Sequence, residues 1–187
     1  NGIAERITQF SREDYLFEAD TLENLSRARI MRLRQTTSYP SLLDTAIPEY
    51  KERLWDENSD IATTIMRYDE LEKPAKLDKL VEIIKDLQKR NLKVLVWTNF
   101  IRTLHLIHGE LSDQGIISKF IYGDVPSMTD DDDMGETENR ESIRQEFLDV
   151  NSGLDVLIVN PAACSEAISL HTTCQNAIYY DLSFNCA

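Results

Sequence analysis

Glycine is scarce in this 187-residue chain, with six residues in all. None builds a Gly-x-x-x-x-Gly-Lys-[Ser/Thr] phosphate loop or a Gly-x-Gly-x-x-Gly dinucleotide turn. The first absence excludes ATP hydrolysis by these residues alone, and the second argues against a Rossmann-type nucleotide enzyme. Cysteine is also sparse. Cys164, Cys174 and Cys186 form no Cys-x-x-Cys pair, so no disulfide framework is legible and a reducing, intracellular compartment is expected. A metal cluster of Cys164, His171 and Cys174 matches no common zinc spacing, and plain buried thiols are the better reading. Basic charge is short: 20 Lys and Arg stand against 33 Asp and Glu, a net charge of -13. That field is unfavourable for nucleic acid, whose affinity comes largely from neutralised phosphates, so any such contact must be local. No apolar run approaches the roughly 20 residues of a membrane span, and no membrane partner is expected. The polar stretch Asn1–Phe10 has no signal-peptide core. The chain has no initiating Met and stops inside a recognisable segment, which points to an excised fragment.

What is present suits a soluble α/β domain. The 42% hydrophobic fraction can form a core. Residues 12–35 have a helical apolar face through Leu16, Leu22, Leu25 and Leu33, ended by Pro40. Residues 44–75 carry short helical pieces between Pro48 and Pro74. From Lys76 the pattern sharpens: Leu77, Leu80, Val81, Ile84 and Leu87 predict an amphipathic helix over 76–90. Strands are expected at Lys93–Trp97, Ile117–Tyr122, Leu154–Val159 and Ala177–Asp181. Helices are expected at Ile101–Gln114 and Glu138–Asp149. Strands alternating with helices argue βαβ units and a mainly parallel sheet flanked by helices. The expected division is a helical extension over 1–75 and an α/β lobe over 76–187.

In an open parallel sheet, ligands bind beyond the carboxyl ends of the strands. Here those ends are Thr98 and Asn99, then Tyr122 and Gly123, then Asn160 and Pro161. All are small or polar enough to let a phosphate approach, with backbone N–H groups at the following helix starts as donors. Each has a plainer reading. Thr98 and Asn99 suit a helix cap, Gly123 a turn, and Ser165 with Glu166 a first helical turn.

In sequence order these segments resemble the second RecA-like lobe of Swi/Snf-type ATPases of helicase superfamily two. KVLVWTNF, from Lys93, is similar to the fourth helicase motif. IYGDVP, from Ile121, is similar to the short Gly-containing motif after the next strand. NPAACSEAISLHTTCQNAIYYDLSFN, from Asn160, is similar to the fifth motif and the strand after it, and is the most specific of the set. RLRQTTSYPSLL, from Arg32, resembles the segment leading from the first lobe to the second. Cys164, Ser165 and Ala167 stand where the family often has glycine.

The resemblance implies a C-terminal lobe of an ATP-dependent DNA translocase. It would form one wall of the ATP cleft through Ser165, Glu166 and Ala167. It would form part of the DNA track through Thr98, Asn99, Gly123 and Asn160. ATP and Mg²⁺ would be held only in the intact protein, together with a missing first RecA-like lobe. Double-stranded DNA, and other subunits of a remodelling or genome-defence complex, are the implied partners. No Asp-Glu-x-His segment is present, since Asp69-Glu70 is followed by Leu71-Glu72. No complete catalytic set is expected here, because phosphoryl transfer needs a phosphate loop, a carboxylate-held Mg²⁺ and an arginine.

Two further features are read as plain. Seven acids lie between Asp124 and Glu138 without a base. Asp130, Asp132, Gly135 and Glu141 fall at EF-hand spacing, but Met134 offers no oxygen ligand, so a solvated loop is expected. His105 and His108 read as surface or half-buried residues rather than ligands. The rival functions are an RNA or single-strand helicase lobe and a non-catalytic acidic interaction module.

Overall fold

The computed structural model describes residues 27–44, 60–123, 125, 139–163, 170, 172–182. The chain divides into two compact units, Asn1–Glu72 and Lys73–Ala187. The expected helix over 12–35 therefore lies partly outside the described residues, as do Ser165, Glu166 and Ala167 and almost all of the acidic segment.

In the first unit, α1 runs over 27–38, with a 3-10 turn at Pro40–Asp44 following it. Two short helices follow, α2 (Asp60–Met66) and α3 (Tyr68–Leu71). Asp69 ties α3 to the 3-10 turn. Its Oδ1 accepts from the Tyr39 hydroxyl at 2.5 Å and from Ser41 Oγ at 2.8 Å. Asp69 thus bonds inside its own unit. Tyr39, Ser41, Leu42 and Leu43 are buried, as are Ala62 and Ile65 of α2.

The second unit alternates regularly. Its order is α4 (Ala75–Lys89), β1 (Val94–Trp97), α5 (Ile101–Asp113), β2 (Ser118–Ile121), α6 (Arg140–Leu148), β3 (Val156–Val159), a 3-10 turn (Pro161–Ala163) and β4 (Asn176–Tyr179). Each strand pairs parallel with its neighbours, in the order β2-β3-β1-β4. This is an α/β unit with an all-parallel sheet flanked by helices, the architecture expected of a RecA-like lobe. β3 is inside the sheet, and all four of its residues are buried. That explains why its sequence is a continuous apolar run rather than an alternation.

The two faces of the sheet are covered by different helices. Leu77, Leu80, Val81 and Ile84 of α4 and Leu104, Ile107 and Leu111 of α5 join Val94, Val96, Val156 and Ile158 in one cluster. Ile143 and Phe147 of α6 join Ile121, Leu154, Leu157 and Val159 in the other. α6 is closed at its start by a reciprocal box. Asn139 Oδ1 accepts from the Ser142 backbone N–H, and the Asn139 N–H donates to Ser142 Oγ.

One charged residue belongs to this core. Lys93 is 7% exposed, immediately before β1. Its Nζ donates to the carbonyls of Phe147 at 2.9 Å, Asp149 at 2.7 Å and Leu154 at 2.9 Å, and lies over the Phe147 ring at 5.2 Å. An ammonium has three donors, and all three are used. Two of them bind the carboxyl end of α6, whose last carbonyls have no partner within the helix, and the third binds the approach to β3 at Leu154.

Candidate functional site

Parallel pairing brings the carboxyl ends of all four strands to one edge. β1 ends on Trp97, and the next two residues are held from both sides. From β4, Asp181 Oδ2 accepts the Thr98 hydroxyl at 2.5 Å and the Asn99 backbone N–H at 3.1 Å. The Asn99 side-chain amide returns a bond to the Asp181 carbonyl at 3.3 Å. From β3, Asn160 Nδ2 donates to the carbonyls of Thr98 at 3.2 Å and Asn99 at 3.0 Å. Asn160 Oδ1 accepts the Ala162 N–H at 3.0 Å. Three strand ends are thereby joined by two side chains, those of Asp181 and Asn160.

Three of the four residues expected at a nucleic-acid track therefore share one hydrogen-bonded network. Thr98 is 0% exposed and Asn160 6%. Their side chains are spent on holding the loops, while Asn99 is half-buried at the rim. Gly123 is exposed at the end of β2, where an added Cβ would meet nothing within 4 Å. Arg140, the first residue of α6, fixes this turn by donating to the carbonyls of Gly123 at 2.9 Å and Val125 at 2.6 Å. α5 begins directly after the Thr98–Phe100 loop, so its positive end lies at the same edge.

Two members of the network carry charge. The Asp181 side chain is 4% exposed, and Lys76 Nζ lies 3.8 Å from its Oδ1. Lys76 also sits over the Tyr180 ring at 4.5 Å. Burial pulls the Lys76 ammonium below its usual range, and the Asp181 carboxylate opposes that shift. Neither residue stands out in the sequence. The available signal was a single carboxylate directly after an apolar strand, on the edge where ligands bind.

The histidines occupy the side of β2 instead. His108 Nδ1 is 2.9 Å from Ser118 Oγ, and both imidazoles meet Phe120 edge-on. Among the described residues, no group of three or more His, Cys, Asp or Glu is placed to hold a metal ion. None of the described helices is long and apolar enough to cross a membrane.

No family model matches the chain, and no curated protein matches it. Among solved structures it is similar to the helicase domain of Hef from Pyrococcus furiosus, at 25% identity and a TM-score of 0.44. The match covers 64% of this chain and 22% of that one.

Proposed function

We propose that this chain is the second RecA-like lobe of a Swi/Snf-type, nucleic-acid-stimulated ATPase that translocates on double-stranded DNA. The observation that carries the reading is the edge itself. Segments similar to the fourth motif, the Gly-containing motif and the start of the fifth motif occupy one rim of an all-parallel sheet. On this reading Asn99 and Gly123 face the phosphate backbone, Thr98 and Asn160 shape the loops that present them, and Ser165, Glu166 and Ala167 form a wall of the ATP cleft. Residues 1–75 serve as the helical inter-lobe extension, with residues 76–187 as the lobe proper.

Among the described residues, no group of three or more His, Cys, Asp or Glu is placed to hold a cation. ATP and its cation would be held chiefly by a first lobe carrying the phosphate loop. This lobe would close over the nucleotide, which needs close backbone approach at Ala167. Turnover is therefore expected only with the first lobe present, stimulated by duplex DNA and suppressed by Ala167→Leu.

An ATPase assay of this chain, of the two-lobed protein and of its Ala167→Leu variant tests the reading. Hydrolysis by this chain alone, or normal DNA-stimulated rates in the variant, would refute it. Stimulation by RNA in place of duplex DNA would move the protein to the RNA helicases. The charge of -13 favours a second reading, an acidic module that binds a basic partner. Salt-sensitive capture of that partner, without nucleotide or DNA, would distinguish it.

A further inference from the structure

The residue that organises the carboxyl edge is Asp181, which the motif comparison does not single out. Its buried carboxylate accepts both the Thr98 hydroxyl and the Asn99 backbone N–H through one oxygen, Oδ2. The other oxygen faces Lys76 at 3.8 Å. We infer that Asp181 is a positioning residue for nucleic-acid contact: it sets the Thr98–Asn99 loop, and Lys76 offsets the negative charge it brings to a phosphate-facing edge. The inference rests on the proposed nucleic-acid function and extends it to Asp181 and Lys76, to which the resemblance gives no role.

Two physical effects of this carboxylate oppose each other, and that makes the inference testable. As a bare charge, Asp181 repels phosphate, so removing it should strengthen binding. As a clamp, it fixes Asn99 at the rim and the entry into α5, so removing it should weaken binding. An asparagine at 181 lacks the charge, and its single oxygen makes weaker bonds to Thr98 and Asn99 than a carboxylate does. Lys76 acts differently. Its ammonium sets a positive charge 3.8 Å from Asp181 Oδ1. Loss of Lys76 should leave the loop in place and expose phosphate to the carboxylate.

The test is fluorescence anisotropy of the 187-residue chain with a fluorescein-labelled 20-base-pair duplex, at salt from about 50 to 200 mM. Four variants are compared: Asp181→Asn, Thr98→Val, the double variant and Lys76→Gln. Asp181→Asn is expected to bind about tenfold more weakly, although it makes the chain less acidic. Thr98→Val should weaken binding in the same direction without any change of charge. The double variant should be no weaker than the worse single one, because both remove one clamp. Lys76→Gln should weaken binding at low salt, with the loss fading as salt rises, because screening removes repulsion but cannot restore a misplaced loop. Amide hydrogen exchange keeps the clamp measurable separately. In Asp181→Asn the Asn99 N–H should exchange faster while the core of α6 stays protected.

Equal or tighter duplex binding by Asp181→Asn would overturn the inference and leave the carboxylate as a mere source of repulsion. Additive losses in the double variant, or unchanged Asn99 exchange, would also overturn it. No binding by the unaltered chain at the lowest salt would instead remove the nucleic-acid reading, and the inference with it.

Discussion

Replacing Lys93 by methionine should destabilise the second unit by a predictable amount. The substitution keeps a long unbranched stem next to Phe147 but deletes the ammonium. Three carbonyls, those of Phe147, Asp149 and Leu154, then lose a donor at 2.7–2.9 Å. A hydrogen bond to a charged group contributes about 1.5–3 kcal/mol net, so three give a gross loss of about 5–9 kcal/mol. Against this stands the release of a buried ammonium from its desolvation penalty, several kcal/mol. The difference leaves a net loss of about 2–4 kcal/mol, which for a chain of this size lowers the melting temperature by about 4–16 °C. Urea unfolding followed by circular dichroism measures the loss, with an unchanged m-value as the check that the unfolded state is unaffected. Amide exchange should locate it at the carboxyl end of α6 and the start of β3. A change below about 0.5 kcal/mol, the usual size for a surface substitution, would refute the reasoning. It would mean that water replaces Lys93 at those carbonyls.

Two further perturbations follow from the same structure. Burial, and then the nearby His105, push the His108 imidazole below its ordinary pKa. The folded state therefore binds its proton less readily than the unfolded state does. Stability is complete above the unfolded value of about 6.5 and declines as pH falls below it. The groups facing the ring are Ser118, Phe120 and His105. His108→Gln should flatten the pH dependence of urea midpoints between about pH 7 and 5, and an identical slope in the variant would remove His108 as its source. Asn139→Ala deletes half of the box that closes α6 and should cost about 1 kcal/mol. Thermal melts check this, and no change would mean that Ser142 and water suffice.

The sheet was legible because its strands are apolar runs set between helical repeats. KVLVW, LDVLIV and AIYYD each yield a strand, and Leu77 through Leu87 yield α4, with ends shifted by one or two residues. The shifts have physical reasons. Adjacency places Lys93 with β1, yet its side chain serves the end of α6. The apolar run places Asp181 at the end of β4, yet the strand stops at Tyr179 and Asp181 bonds across to the β1 loop. Pairings between residues more than fifty positions apart leave no trace in local periodicity. For the same reason the sequence showed that Thr98 and Asn160 lie at strand ends but not that their side chains would be consumed there. Asp69 is the reverse case: it belongs to no catalytic motif, and it bonds Tyr39 and Ser41 within its unit. The cleft residues Ser165, Glu166 and Ala167 fall outside the described residues, so their reading rests on resemblance.

The strand order also governs how this lobe can be made. β1 and β2 leave the ribosome first, yet neither pairs with the other, because β3 lies between them. No ladder in the sheet can form until β3 has been synthesised. At about 5–20 residues per second, the apolar β1 segment Val94–Trp97 spends several seconds without its strand partner. Among the described elements, α4, α5 and α6 all precede β3, and α4 and α5 share one cluster with Val94 and Val96. Their apolar faces therefore act as a temporary shelter during translation. Substitutions that thin those faces, such as Ile84→Ala, should cost soluble yield during synthesis beyond what their effect on the finished fold accounts for.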